Sequence, residues 1–147
     1  MRGITRAFLA FSIVAVLAGV DIEAQEQAFK VIVNAGVSTS SLTVKELSRV
    51  FMKKDTTWPS GLKMTPVNLG ADHPTREAFS QAVHGKGAQP IERRWETLIF
   101  SGMGVPPPKL EIESEVVEFV KSNAGAIGYV AAETPLPPEV KELEITP

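Results

Sequence analysis

Cysteine is absent from the sequence, which excludes disulfides, a thiol nucleophile and thiolate metal sites. Histidine occurs only at positions 73 and 84. On one helix these would stand about 16 Å apart at 1.5 Å per residue, too far to share a metal ion. No Gly-x-Ser-x-Gly elbow occurs, so the strand-to-helix nucleophile of the hydrolases is missing. Neither sign of charge dominates: 15 basic residues face 17 acidic ones, a net charge of −2. Without a basic excess, nucleic acid is not an expected partner. No cofactor motif is found, and no cofactor, metal or catalytic residue is expected.

A long apolar run occurs once, Ala7 to Val20, 14 residues behind Arg2 and Arg6. It is shorter than the roughly 18 to 20 residues that span a bilayer, and small residues follow it. The expectation is a signal peptide over residues 1–24, cut after Ala24. Residues 25–147 then form one domain, exported to the periplasm or the medium, without stable membrane insertion after cleavage. That length supports one core and not two.

The remaining chain alternates strand and helix signals. Ala28 to Val33 reads as a buried strand, and Asn34 to Ser41 as a loop of small residues. Thr43 and Glu46 form a capping box ahead of a stripe of Val44, Leu47, Val50 and Phe51. Lys63 to Leu69 reads as a strand, with Pro66 favouring an edge. A helix burying Ala78, Phe79, Ala82 and Val83 follows and stops at Gly85. Another carries Ile91, Trp95, Leu98 and Ile99 and ends at Ser101-Gly102, and a third is capped by Ser114 and carries Val116, Val117 and Val120. Ala126 to Ala131 and Val140 to Ile145 complete the strands. Alternation over a single core predicts an α/β fold, a small mixed sheet flanked by helices.

The corner Leu69-Gly70-Ala71-Asp72-His73-Pro74-Thr75-Arg76-Glu77-Ala78-Phe79 joins a strand to a helix N-terminus, where backbone N–H groups lack intrahelical partners. Two readings stand. In one, Asp72 or His73 caps the helix, Pro74 occupies its first turn and Glu77 completes the end. In the other, Thr75, Arg76 and His73 join the N–H groups as donors to a small anion. Ser38, Thr39 and Ser40 would add hydroxyls from the loop after the first strand, because open α/β sheets bind ligands at strand carboxyl ends. Trp58, Trp95 and Tyr129 are candidates for ligand stacking, with core packing as the alternative. Glu111, Glu113, Glu115 and Glu118 read as a solvated helix entry. Gly128 within a strand marks a close backbone approach.

Taken in order, the Leu42-Thr43-x-x-Glu46-Leu47-x-x-x-Phe51 helix, Trp58, the Thr75-Arg76-x-x-Phe79 helix start and Gly125-Ala126-Ile127-Gly128-Tyr129 resemble a family. The chain from about Val31 to Val130 looks like one lobe of the phosphate-type substrate-binding proteins of ABC importers. The resemblance implies a single periplasmic-binding-protein-like lobe, a small anion such as phosphate as ligand, and an ABC permease or another envelope protein as partner. In the two-lobed relatives the ligand corner reads Arg-x-x-x-Ser-Gly-Thr. Here Leu69, His73 and Pro74 replace the Arg, Ser and Gly, and only Thr75 remains. That departure leaves open a module that has lost its ligand and docks protein or a second copy of itself.

Overall fold

Hydrophobic alternation and helix caps place most elements where the residues predict them. A computed structural model describes Gln27 to Pro147; the signal peptide expected over residues 1–24, with its cleavage point, lies outside the described residues. In chain order the elements are β1 (Phe29–Asn34), β2 (Ser41–Thr43), α1 (Val44–Phe51), β3 (Thr65–Pro66), β4 (Asn68–Leu69), α2 (Pro74–His84), α3 (Ala88–Phe100), β5 (Lys109–Leu110), α4 (Glu113–Ser122), β6 (Ala126–Ala131) and β7 (Val140–Thr146).

Five strands form a mixed sheet in the order β2-β7-β1-β6-β3, and β4 pairs with β5 separately. β1 runs antiparallel to both β6 and β7, while β3 is parallel to β6 and β2 parallel to β7. Side chains alternate across the strands. Val31 and Tyr129 are paired in register, as are Ile32 and Gly128. Tyr129 stacks on Phe79 of α2 at 3.8 Å and lies 5.6 Å from Phe51 of α1. On the opposite face Gly128 lies under α4: a Cβ there would come within 2.8 Å of Val116 and 3.0 Å of Val67. The glycine is the close approach expected from its place in a strand, and helices cover both sides of β6.

The capping box at Thr43 and Glu46 is present, as is the left-handed Gly85 stop of α2 at φ 66°. Other expectations need correction. The single strand over Lys63 to Leu69 is two two-residue strands in different sheets, with Pro66 on the edge strand as anticipated. β2 begins at the end of the predicted loop. Ala82 and Ile99 are exposed rather than buried, because α2 turns Thr75, Arg76, Phe79, Ser80 and Val83 inward and α3 buries only its Ala88, Ile91 and Trp95 stripe. The N-cap of α4 is Ile112, so Ser114 falls inside the first turn. Trp58, Trp95 and Tyr129 are core residues, each at most 4% exposed.

Candidate functional site

The corner before α2 is positioned from below by a buried hydrogen-bond chain. The Leu69 amide donates to the Tyr129 hydroxyl at 3.2 Å, which donates to Asn68 Oδ1 at 3.0 Å. Burial pushes the Tyr129 phenol up to about 12, so it stays a neutral donor. The chain then turns through Gly70, whose amide donates to the Leu110 carbonyl at 3.1 Å, and enters α2.

At this entry the Thr75 amide and hydroxyl both find acceptors within the protein. His73 is the N-cap: its Nδ1 accepts from the Thr75 amide at 3.2 Å. Asp72 instead accepts from Gln89 Nε2 at 3.1 Å. The Thr75 hydroxyl donates to Glu113 Oε1 at 2.9 Å, and the other Glu113 oxygen lies 3.6 Å from His73 Nε2. A carboxylate from the first turn of α4 thus occupies the face of Thr75 and His73 on which an external oxyanion would rest. Glu77 does not complete the α2 cap; its carboxylate accepts from the Ala88 amide at 2.8 Å and from Gln81 Nε2, supplying the cap that Gly87 cannot give α3. Those two bonds hold its pKa below the usual carboxylate range.

Arg76 points inward. It is 1% exposed, Nη1 donates to the Leu69 carbonyl at 2.8 Å, and Nη2 donates to Glu92 Oε1 at 3.0 Å. The second Glu92 oxygen accepts from Lys109 Nζ at 2.8 Å. Burial alone would raise the Glu92 pKa, but the Lys109 ammonium and the Arg76 guanidinium hold it below its ordinary value. Arg76 therefore brings a cation back to the strand end at Leu69, on the core side rather than the solvent side. The open depression outside is lined by Asp72, His73, Lys109 and Glu111 among others, so its one ammonium, already paired, faces two carboxylates.

Ser38, Thr39 and Ser40 are not brought to this corner. Ser40 leads into β2, the edge strand beside β7, where its carbonyl accepts from the Glu144 amide, whereas β3, which leads to the corner, is the other edge strand, with β7, β1 and β6 between them. Ser40 lines a separate depression with Lys30 and Glu142. The expectation of a shared carboxyl end does not hold for Ser38, Thr39 and Ser40, because β1 and β3 run in opposite directions and the loop after β1 returns along β7 to the far edge. Among the described residues, no group of three His, Cys, Asp or Glu is placed to hold a metal ion. Sequence reasoning missed Glu113 and Glu92, which stand 38 and 16 residues from their partners Thr75 and Arg76; neither spacing carries a local signal.

No sequence-family model matches the chain, and no curated protein matches it by sequence. Solved structures do match. A Clostridium perfringens protein described as a phosphate ABC transporter substrate-binding protein, solved with bound phosphate, superposes with a TM-score of 0.64 at 18% identity, over 80% of this chain and 44% of that one. An ABC-type phosphate transport receptor from Vibrio cholerae gives 0.61 at 14% identity, over 80% and 46%. PstS from Borrelia burgdorferi gives 0.57 at 12%, over 81% and 47%. The chain spans less than half the length of each of these proteins. The shared feature is the fold: a mixed sheet flanked by four helices, the architecture of one lobe of a periplasmic-binding-protein-like structure.

Proposed function

We propose that this protein is an exported, non-enzymatic module of the substrate-binding-protein type, located in the periplasm or secreted, whose corner before α2 takes phosphate-class anions weakly and in competition with its own Glu113. The observation that carries this reading is the 2.9 Å bond from the Thr75 hydroxyl to the Glu113 carboxylate. The corner holds an oxyanion already, and that oxyanion belongs to the chain. Support for the ligand class comes from the shared fold, one example of which contains phosphate. An incoming dianion must displace Glu113 and approach Asp72 and Glu111. Hydrogen bonds to charged groups contribute roughly 1.5 to 3 kcal/mol each, so losing one or two of them to an internal competitor moves affinity from micromolar toward millimolar.

The test is a chemical-shift titration with phosphate at fixed ionic strength. Glu113→Gln removes the competing charge and should tighten binding at the Thr75 amide about tenfold, a change of about 1.4 kcal/mol. No saturable shift at Thr75 in either protein at tens of millimolar phosphate refutes the anion reading. A second reading, a docking or self-associating envelope module, is favoured by a strip of apolar side chains at the end of α3: Phe100 is 91%, Met103 77% and Val105 72% exposed. Exposed apolar strips of this kind mark contact surfaces. An ABC permease, another envelope protein or a second copy would be the partner. Sizing of wild type beside Phe100→Glu tests self-association, with a concentration-dependent dimer lost in the variant as its expected result.

A further inference from the structure

Away from the corner, three cations without carboxylate partners, Lys54, Lys86 and Arg94, line one depression of about 190 Å³ where α1, α2 and α3 meet, together with Ser48, His84 and apolar neighbours. No Asp or Glu lines it. Among the described residues, the ion pairs engage Arg49, His73, Arg76, Lys109 and Lys121, and none engages Lys54, Lys86 or Arg94. Asp55, the acid next in sequence to Lys54, is held by both Nε and Nη2 of Arg49.

Between the cations lies a hydrogen-bonded pair, Ser48 Oγ and His84 Nδ1 at 2.8 Å. The imidazole stands edge-on to Phe79 at 5.8 Å. Burial, and then the positive charge of Arg76, lower its pKa to about 4, so the ring is neutral at pH 7. In either tautomer the pair keeps one hydrogen to give. If the hydroxyl donates to Nδ1, the ring hydrogen is on Nε2; if Nδ1–H donates, the hydroxyl hydrogen remains.

We infer that this junction is a second oxyanion site, which takes a small divalent oxyanion such as inorganic phosphate or sulfate among Lys54, Lys86 and Arg94, with the Ser48–His84 pair as a neutral donor. The size argues for a small ion, since pockets for organic ligands run to about 300–1,000 Å³. Charge decides against the plainer account, in which these cations only complement helix ends. α1 ends at Phe51 and α2 at His84, and each carboxyl end carries about −0.5 of an elementary charge. Together they offset about one of the three positive charges. About two remain, the complement of a dianion, and Arg94 belongs to the interior of α3 rather than to a helix end. The site shares no residue with the corner before α2 and does not depend on it.

The experiment is an amide and histidine-ring NMR titration with sodium phosphate and sodium sulfate at constant ionic strength, with sodium chloride as reference. Saturable shifts at His84, Lys86 and Arg94 are expected with both dianions and not with chloride. The Lys86→Gln/Arg94→Gln double variant exchanges two exposed cations for neutral residues and should weaken binding about tenfold or more, as loss of charge-assisted hydrogen bonds requires. Lys54→Gln removes the third cation independently, should weaken binding severalfold, and provides a check if the double variant folds poorly. Glu113→Gln should leave these shifts unchanged, so failure at Thr75 and failure here are read separately. Chloride shifts equal to those of phosphate, or wild-type affinity in folded cation variants, would overturn the inference.

Discussion

Arg76→Ala is the most informative single substitution, because the position changes meaning between sequence and structure. Truncation removes the donor to the Leu69 carbonyl at 2.8 Å and one of the two cations on Glu92, and empties the space of a side chain that is 2% exposed. Breaking a buried ion pair from one side costs about 3 to 5 kcal/mol. Here Glu92 keeps Lys109 at 2.8 Å and is itself 17% exposed, which places the loss at the lower end, about 3 kcal/mol. Roughly 1 to 3 kcal/mol of that is the orphaned carbonyl, and the rest is stem packing. Arg76→Met retains the stem and should lose about half as much. Lys109→Met removes a 48% exposed partner and should lose under about 1 kcal/mol. Urea unfolding followed by tryptophan fluorescence measures all three, with constant m-values as the control. If Arg76→Ala lost less than about 1 kcal/mol while phosphate binding at Thr75 disappeared, the guanidinium would be a ligand group facing solvent and the structural assignment wrong.

Two further outcomes follow from the packing. His84 has a folded pKa of about 4 against an ordinary 6.5, through burial first and the Arg76 charge second. Its depressed pKa means that the unfolded chain takes up the proton first as pH falls, so its contribution is complete above pH 6.5 and declines down to about pH 4, by about 3 kcal/mol in all. The difference in urea midpoint between wild type and His84→Gln should shrink over that window, and a constant difference would refute the assignment. At Gly125 a Cβ would run into the Lys63 backbone carbonyl, so Gly125→Ala should destabilise by about 3 kcal/mol, the upper end of the usual range for an overpacked site; a loss below about 1 kcal/mol in thermal unfolding would mean that the two backbones do not meet.

Elements governed by neighbouring residues were legible in the sequence. The α/β class, the Thr43–Glu46 capping box, the Gly85 stop and the bounds of β6 all follow from periodicity and caps, which act over a few residues. The same reading placed the helix entry at Pro74 and named Thr75, Arg76 and His73 as its polar residues. It could not assign their partners. Each of these side chains is chemically suited to an anion, and a chain's own carboxylate satisfies a hydroxyl or guanidinium as well as a solute does. Only the fold brings Glu113 to Thr75, Glu92 to Arg76 and His84 to Ser48. Strand order was likewise out of reach: alternation identifies the strands β1 and β6, but their pairing arises between segments nearly a hundred residues apart, and the resulting order leaves Ser40, next to the edge strand β2, across the sheet from β3 and the corner. What the sequence determined by itself is therefore the set of elements and their polar candidates. The tertiary structure decided which of these candidates are already satisfied, Thr75 by Glu113 and Arg76 by Glu92, and brought Lys54, Lys86 and Arg94, which the sequence did not single out, around one depression, because burial and charge pairing are properties of neighbours in space.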